Sequence, residues 1–172
     1  MTTVGFNTVS TGDLKLPILL LVTFLMYVGA SPSGTAGGMK ITTLTAMISV
    51  LKSRLFGQKS ISFLNKTIPF ERLYVATSTF ILYTSLIFVF SFLLAFTEAD
   101  ATFDKILFEV ASALGTVGLS SGLTGELSNW GKVLISVLMF TGRVGVLTFG
   151  FALLRRKNAT DEKPLPKDDL AV

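Results

Sequence analysis

Residues 73–97 carry no charged side chain, a run of 25 from Leu73 to Thr97. A helix needs about 20 predominantly apolar residues to cross a bilayer, and this run supplies them without interruption. Two further stretches have the same character: residues 16–39 hold no charge, and residues 133–154 hold one, Arg143. Charged residues make up 15% of the chain and apolar residues 50%, against roughly 25% charged in soluble domains. The chain therefore reads as an all-α membrane protein with three spans and with membrane lipid as a partner.

The sequence contains no Cys and no His. That removes disulfides, thiol catalysis, the usual zinc ligand sets and Ser-His-Asp triads, so neither an enzyme nor a cofactor is expected. The net charge of +4 does not point to nucleic acid, because the basic residues lie between and after the apolar stretches. Residues 52–72 hold Lys52, Arg54, Lys59, Lys66 and Arg72 against Glu71, and Arg155-Arg156-Lys157 follows the last stretch. An excess of Lys and Arg marks cytoplasmic loops. This places the connector and the C-terminus in the cytoplasm, and residues 1–13 and 98–128 outside.

Along the chain, residues 1–13 read as loop. Leu14–Val28 is a helix with Pro17 near its start, where proline is tolerated. The stretch 29–38, Gly-Ala-Ser-Pro-Ser-Gly-Thr-Ala-Gly-Gly, cannot be regular helix, and a helical pattern resumes over Met39–Leu51. The first span is thus expected to be a helix broken in its middle. A single span is expected over Leu73–Phe96. Phe103–Leu114 is apolar but too short to cross a bilayer, and fits either a re-entrant helix or an ordinary packed one. On it, Lys105 and Glu109 are spaced for an i, i+4 ion pair. Trp130 suits an interfacial anchor, Val133–Leu154 forms the last span, and residues 158–172 read as a disordered tail.

One motif occurs twice. Thr3-Val4-Gly5-Phe6 falls on Thr116-Val117-Gly118-Leu119 at a shift of 113 positions, and Thr11-Gly12-Asp13-Leu14 falls on Thr124-Gly125-Glu126-Leu127. From Thr3 to Gly29 ten of 27 positions are identical. Shared apolar composition would explain the leucines, but not both polar motifs at one offset, which reads as an internal repeat.

A Thr-x-Gly at the end of a short helix between spans has a specific use. Glycine adopts backbone angles closed to other residues, which lets carbonyl oxygens replace an ion's hydration shell. The preceding helix directs the negative end of its dipole at the ion. In the second copy Phe103–Leu114 is that helix and Gly118 the filter glycine; a plain helix cap is the alternative for either glycine alone. A Gly-Ser-Thr loop at membrane depth must be buried by protein or line a cavity, so 29–38 is a gate or a packed break. Arg143 in mid-span must face water or a partner, either the ion path or loop carbonyls.

Thr3-Val-Gly-Phe-Asn-Thr8, the run from Gly29 to Thr43, Phe108-Glu-Val-Ala-Ser-Ala-Leu-Gly-Thr-Val-Gly-Leu-Ser120 and Gly142-Arg-Val-Gly145 resemble the Trk/Ktr/HKT superfamily of potassium and sodium uptake proteins. The membrane subunit of bacterial Ktr systems is the most similar, and the resemblance covers about residues 2–157. It implies four repeats of span, pore helix, filter and span around one pore. Residues 1–69 would be the filter and broken inner helix of the third repeat with a cytoplasmic connector, and 70–157 the complete fourth repeat. That is one and a half of the four. The resemblance makes Thr3, Val4, Gly5, Phe6, Thr116, Val117, Gly118 and Leu119 the ion filter, binding K+ through backbone carbonyls. Gly29, Ser31, Pro32, Gly34, Thr35, Gly37 and Gly38 would form the intramembrane gate loop, and Arg143 the pore cation. It implies potassium uptake at the plasma membrane by a homodimer, with a cytosolic nucleotide-binding ring subunit as regulator and the remaining repeats as partners. Sodium selectivity or coupling is the alternative within the superfamily; a truncated membrane segment that conducts nothing is the other. Val146 stands where the family pattern has Pro, a departure that would straighten the last helix.

Overall fold

A computed structural model describes residues 5–7, 11–29, 38–57, 61–63 and 66–154. Thr3, Val4, Ser31, Pro32, Gly34, Thr35 and Gly37, the 155–157 cluster and the tail 158–172 lie outside the described residues.

The described chain is helical apart from one antiparallel pair of two-residue strands. In order, a 3-10 turn at Thr11–Asp13 leads to α1 (Leu16–Val28) and α2 (Ile41–Leu55). The pair β1 (Ser62–Phe63) and β2 (Lys66–Thr67) follows, with Ser62 opposite Thr67. Then come α3 (Phe70–Thr97), α4 (Phe103–Leu114), α5 (Leu123–Glu126), α6 (Asn129–Val144) and α7 (Val146–Leu154).

Local chemistry explains the boundaries. Pro17 sits in the first turn of α1, where its missing N–H removes no helical bond. Gly29 ends α1 at φ 72, its N–H bonded to the Leu25 carbonyl. Gly38 and Lys40, at φ 89 and 56, cannot be helical, so α2 begins at Ile41 rather than at Met39. It also runs past Leu51 to Leu55, with Lys52 and Arg54 in its last turn, where the helix dipole favours cations.

Among the described residues α3 alone is long and apolar enough to cross a membrane as one helix. The other two expected spans are divided. The first is interrupted between Val28 and Ile41, and the last at Gly145. Val146 does not straighten the last helix: Gly145, at φ 97, already separates α6 from α7.

α4 is the centre of the packing and touches α6, α1, α3 and α5. Ile106 and every residue from Phe108 to Leu114 are buried. Its neighbours contribute Tyr83, Ile87 and Leu94 from α3, Ile135 and Leu138 from α6, and Met39. On its other side Phe108 and Ala111 pack with Leu19 and Met26 of α1. The distribution is the reverse of a soluble fold. The short helix with polar residues is enclosed, while the long apolar α3 leaves Phe88 78% and Phe96 73% exposed. A continuous apolar surface of this kind marks a membrane or partner face.

At the tightest crossing a side chain on Gly142 of α6 would collide with the Leu114 carbonyl. Gly142→Ala is expected to cost about 1–3 kcal/mol by overpacking and to lower the melting temperature in detergent. Gly125, helical and facing open space, should accept Ala with no loss. Equal melting of the two variants would contradict this packing.

Candidate functional site: the strip after α4

α4 ends in a compact hydrogen-bonded turn. The Gly115 N–H bonds the Ala111 carbonyl at 2.9 Å, Thr116 N–H that of Ala113 at 3.1 Å, and Val117 N–H that of Ser112 at 2.9 Å. The chain then leaves the helix as a strip, 116–119. Thr116 has φ 52 and Gly118 φ 82, so two of three successive residues are left-handed. For glycine this is free; for a β-branched residue it is an outlier. Such backbone persists only where its surroundings over-determine it, and it clusters at functional sites. Beyond the strip, Ser112 Oγ donates to the Leu119 carbonyl at 2.5 Å.

Gly5 lies against this strip. It has φ 73, the same handedness as Gly118, and a Cβ placed on it would be 2.8 Å from Val117 O and 3.0 Å from Gly118 O. Further along the same seam Thr11 Oγ1 donates to the Ser120 carbonyl. A Cβ on Gly12 would come within 2.9 Å of Ser121 O. Two segments 113 residues apart in sequence are thus neighbours through their backbones. The offset recurs in the elements: the turn Thr11–Asp13 matches Thr124–Glu126 within α5, and the start of α1 at Leu16 matches that of α6 at Asn129. It fails at Gly29, which caps α1 with positive φ, whereas Gly142 is inside α6 and the chain turns three residues later at Gly145. Of the other strip residues, Val117 is buried, Leu119 is half-buried and Phe6 is 93% exposed.

The two described ends of the 29–38 stretch meet. A Cβ on Gly38 would be 2.8 Å from Gly29 Cα. Met26 O is within 3.6 Å of that same position and within 3.2 Å of a Cβ on Gly115. The stretch therefore departs and returns beside the end of α4. Arg143 is an exposed residue in the last turn of α6, two positions before the Gly145 break.

Two groups that sequence reasoning missed hold the segment beyond the strip together. Glu109 does not pair with Lys105. Its Oε1 accepts from Ser120 Oγ at 2.6 Å and from Ser121 N at 2.9 Å, and its Oε2 accepts from Thr124 Oγ1 at 2.8 Å. Lys105 is exposed while Glu109 is 4% exposed, so burial separates two residues that helical spacing would join. Glu98, just past α3, accepts from Ser128 N at 3.0 Å and Ser128 Oγ at 2.6 Å at the start of α6, where the helix dipole favours an anion. Glu98 and Ser128 are 30 residues apart with α4 and α5 between them, so no local sequence signal joined the second pair.

Comparison with known proteins bears on the whole length. The profile of the TrkH family, described as a cation transport protein, matches residues 1–163. The chain is 35% identical over 162 residues to Ktr system potassium uptake protein B of Bacillus subtilis, covering 94% of this chain and 36% of that one. It is 35% identical over 153 residues to the protein of the same name from Vibrio alginolyticus, covering 89% and 33%. With the potassium/sodium uptake protein NtpJ of Enterococcus hirae it shares 35% over 162 residues, covering 92% and 36%. The chain belongs to the TrkH family of cation transport proteins. It spans about a third of the length of these relatives.

The two glycines at the seam should respond differently. Gly5→Ala meets both a left-handed φ and a carbonyl 2.8 Å away, whereas a Cβ on Gly118 has only Gly5 Cα within reach, at 3.8 Å. Strain alone costs roughly 1–2 kcal/mol. Gly5→Ala should therefore lower the melting temperature of the purified protein more than Gly118→Ala, and the reverse order would contradict the seam.

Proposed function

We propose that this chain is part of the translocating subunit of a potassium uptake system, and that cations pass through a filter of backbone carbonyls. The filter comprises Thr3, Val4, Gly5 and Phe6 from one repeat and Thr116, Val117, Gly118 and Leu119 from the next. The observation that carries the reading is the approach of Gly5 to the Val117 and Gly118 carbonyls. Two left-handed glycines, each at the same point of a recurring motif, lie side by side as adjacent walls of one ion path would. α4 supports this, being a helix buried from Phe108 to Leu114 whose carbonyl end terminates at the strip. Carbonyl oxygens at a helix C-terminus favour a cation.

In this reading residues 70–157 form one complete repeat: α3 is the outer span, α4 the re-entrant pore helix, and α6 with α7 the inner span. Residues 1–69 hold the filter and inner helix of the preceding repeat, with α1 and α2 as two halves of a broken span and a cytoplasmic connector after them. The stretch 29–38 is the gate, closing the path below the filter. Its ends at Gly29 and Gly38 touch beside the carbonyl end of α4. Arg143 puts a positive charge on the inner pore helix. The remaining repeats, a second copy of the subunit and a cytosolic nucleotide-binding ring subunit complete the system, in the plasma membrane with a cytoplasmic C-terminus. Sodium transport is the second reading, favoured by the likeness to a protein named for both ions.

The test uses the full-length transporter in a strain lacking its own potassium uptake. Gly118→Asp should abolish growth at low potassium while the protein reaches the membrane at normal levels; normal growth of that variant would sink the filter assignment. Deleting Gly34 to Gly38 should raise ungated rubidium flux into vesicles, and unchanged flux would count against the gate.

A further inference from the structure

Glu109 is enclosed on a helix whose other buried residues are almost all apolar. All its hydrogen bonds run to the segment just beyond the filter strip. Besides the three bonds given above, Oε1 also accepts from Ser121 Oγ at 3.2 Å. An ionised carboxylate is acceptor-only, with about four lone-pair sites, and here four donor groups converge on it. The same serines meet the other copy of the motif. Ser120 offers its carbonyl to Thr11 Oγ1, and the Ser121 carbonyl lies against Gly12. A chain of contacts therefore runs from Glu109 through Ser120-Ser121 to Thr11-Gly12. Thr124 and Thr11 are the equivalent residues of the two copies, yet they use different partners. Thr124 donates to Glu109 within its own copy, while Thr11 donates across the seam to a residue that Glu109 holds. One carboxylate thus holds the two serines through which its own copy meets the other.

We propose that Glu109 is a positioning residue that fixes the spacing of the two filter strips, and through that spacing sets the discrimination between potassium and sodium. The inference rests on the filter reading. A filter distinguishes the two ions by the size of its cavity or by the number and field of its carbonyls, and both depend on how rigidly neighbouring strips are held. A loosened seam lets carbonyls close on the smaller ion, so the preference for potassium falls. Gln at this position would turn an amide N–H₂ towards donors, and Asp would fall short of them by one methylene.

The experiment measures transport of both ions by the full-length protein in cells lacking their own systems, with membrane protein quantified. Hydrogen bonds to a charged group are worth about 1.5–3 kcal/mol, so Glu109→Asp and Glu109→Gln should lower the potassium-to-sodium KM preference by about tenfold or more. Thr11→Val, which removes only the neutral bond across the seam, should lower it about threefold. Combined with Glu109→Asp, it should add little. Glu109→Asp keeps the charge, so a potassium preference unchanged in Glu109→Asp and in Thr11→Val overturns the proposal. So does an equal rise in KM for both ions in Glu109→Gln, since that is loss of attraction rather than of geometry. If Glu109→Asp fails to reach the membrane, Thr11→Val alone decides. Gly118→Asp separates the two levels: if it abolishes transport while these variants leave the preference intact, the filter stands and the positioning role falls. If it transports normally, the filter reading itself fails.

Discussion

The end of α4 is held by backbone contacts at glycine, and the surrounding arrangement depends on them. Gly142 lets α6 approach until its Cα faces the Leu114 carbonyl, and Gly115 lets the same helix end rest near the Met26 carbonyl of α1. Contacts of this kind need no side chain, so they bring helices closer than ridges of leucine would allow. They also fix the point at which the strip 116–119 begins. With that point fixed, Thr116 can be held at a φ a β-branched residue rarely adopts, and Gly118 can stand beside Gly5.

Polar groups then secure the strip from its far end. Ser112 takes the Leu119 carbonyl, Glu109 gathers Ser120, Ser121 and Thr124, and Glu98 ties the end of α3 to the start of α6. An enclosed carboxylate is costly unless its lone pairs are satisfied, and once satisfied it makes the local geometry specific. The apolar residues of α3 have the opposite role. They present a broad greasy face outward and leave the interior to the short helix with serine and glutamate.

Much of this was legible beforehand, unevenly. The bounds of α4 follow from sequence because a twelve-residue apolar segment ends at a glycine and starts after an acidic patch. The paired motif is legible because identical polar residues recur at one spacing. The division of the last helix was not, since a lone glycine in an apolar run is tolerated in a helix, and only the left-handed φ at Gly145 shows that the chain turns there. The partner of Glu109 was misread for a similar reason. Helical spacing reports which residues share a face, but not which of them is enclosed; Lys105 faces out while Glu109 points to residues up to fifteen positions away.

The sequence by itself determined the apolar segments, the breaks in them that glycine makes unavoidable, and the existence of two copies of a Thr-Val-Gly motif. These are local properties, set by transfer energy and by backbone sterics within a few residues. Only the tertiary structure decided that the two copies touch, that Gly29 and Gly38 meet beside the end of α4, and that one carboxylate holds the serines against which Thr11 and Gly12 lie. Those outcomes depend on contacts between residues up to 113 positions apart, and no periodicity or composition along the chain encodes such distances.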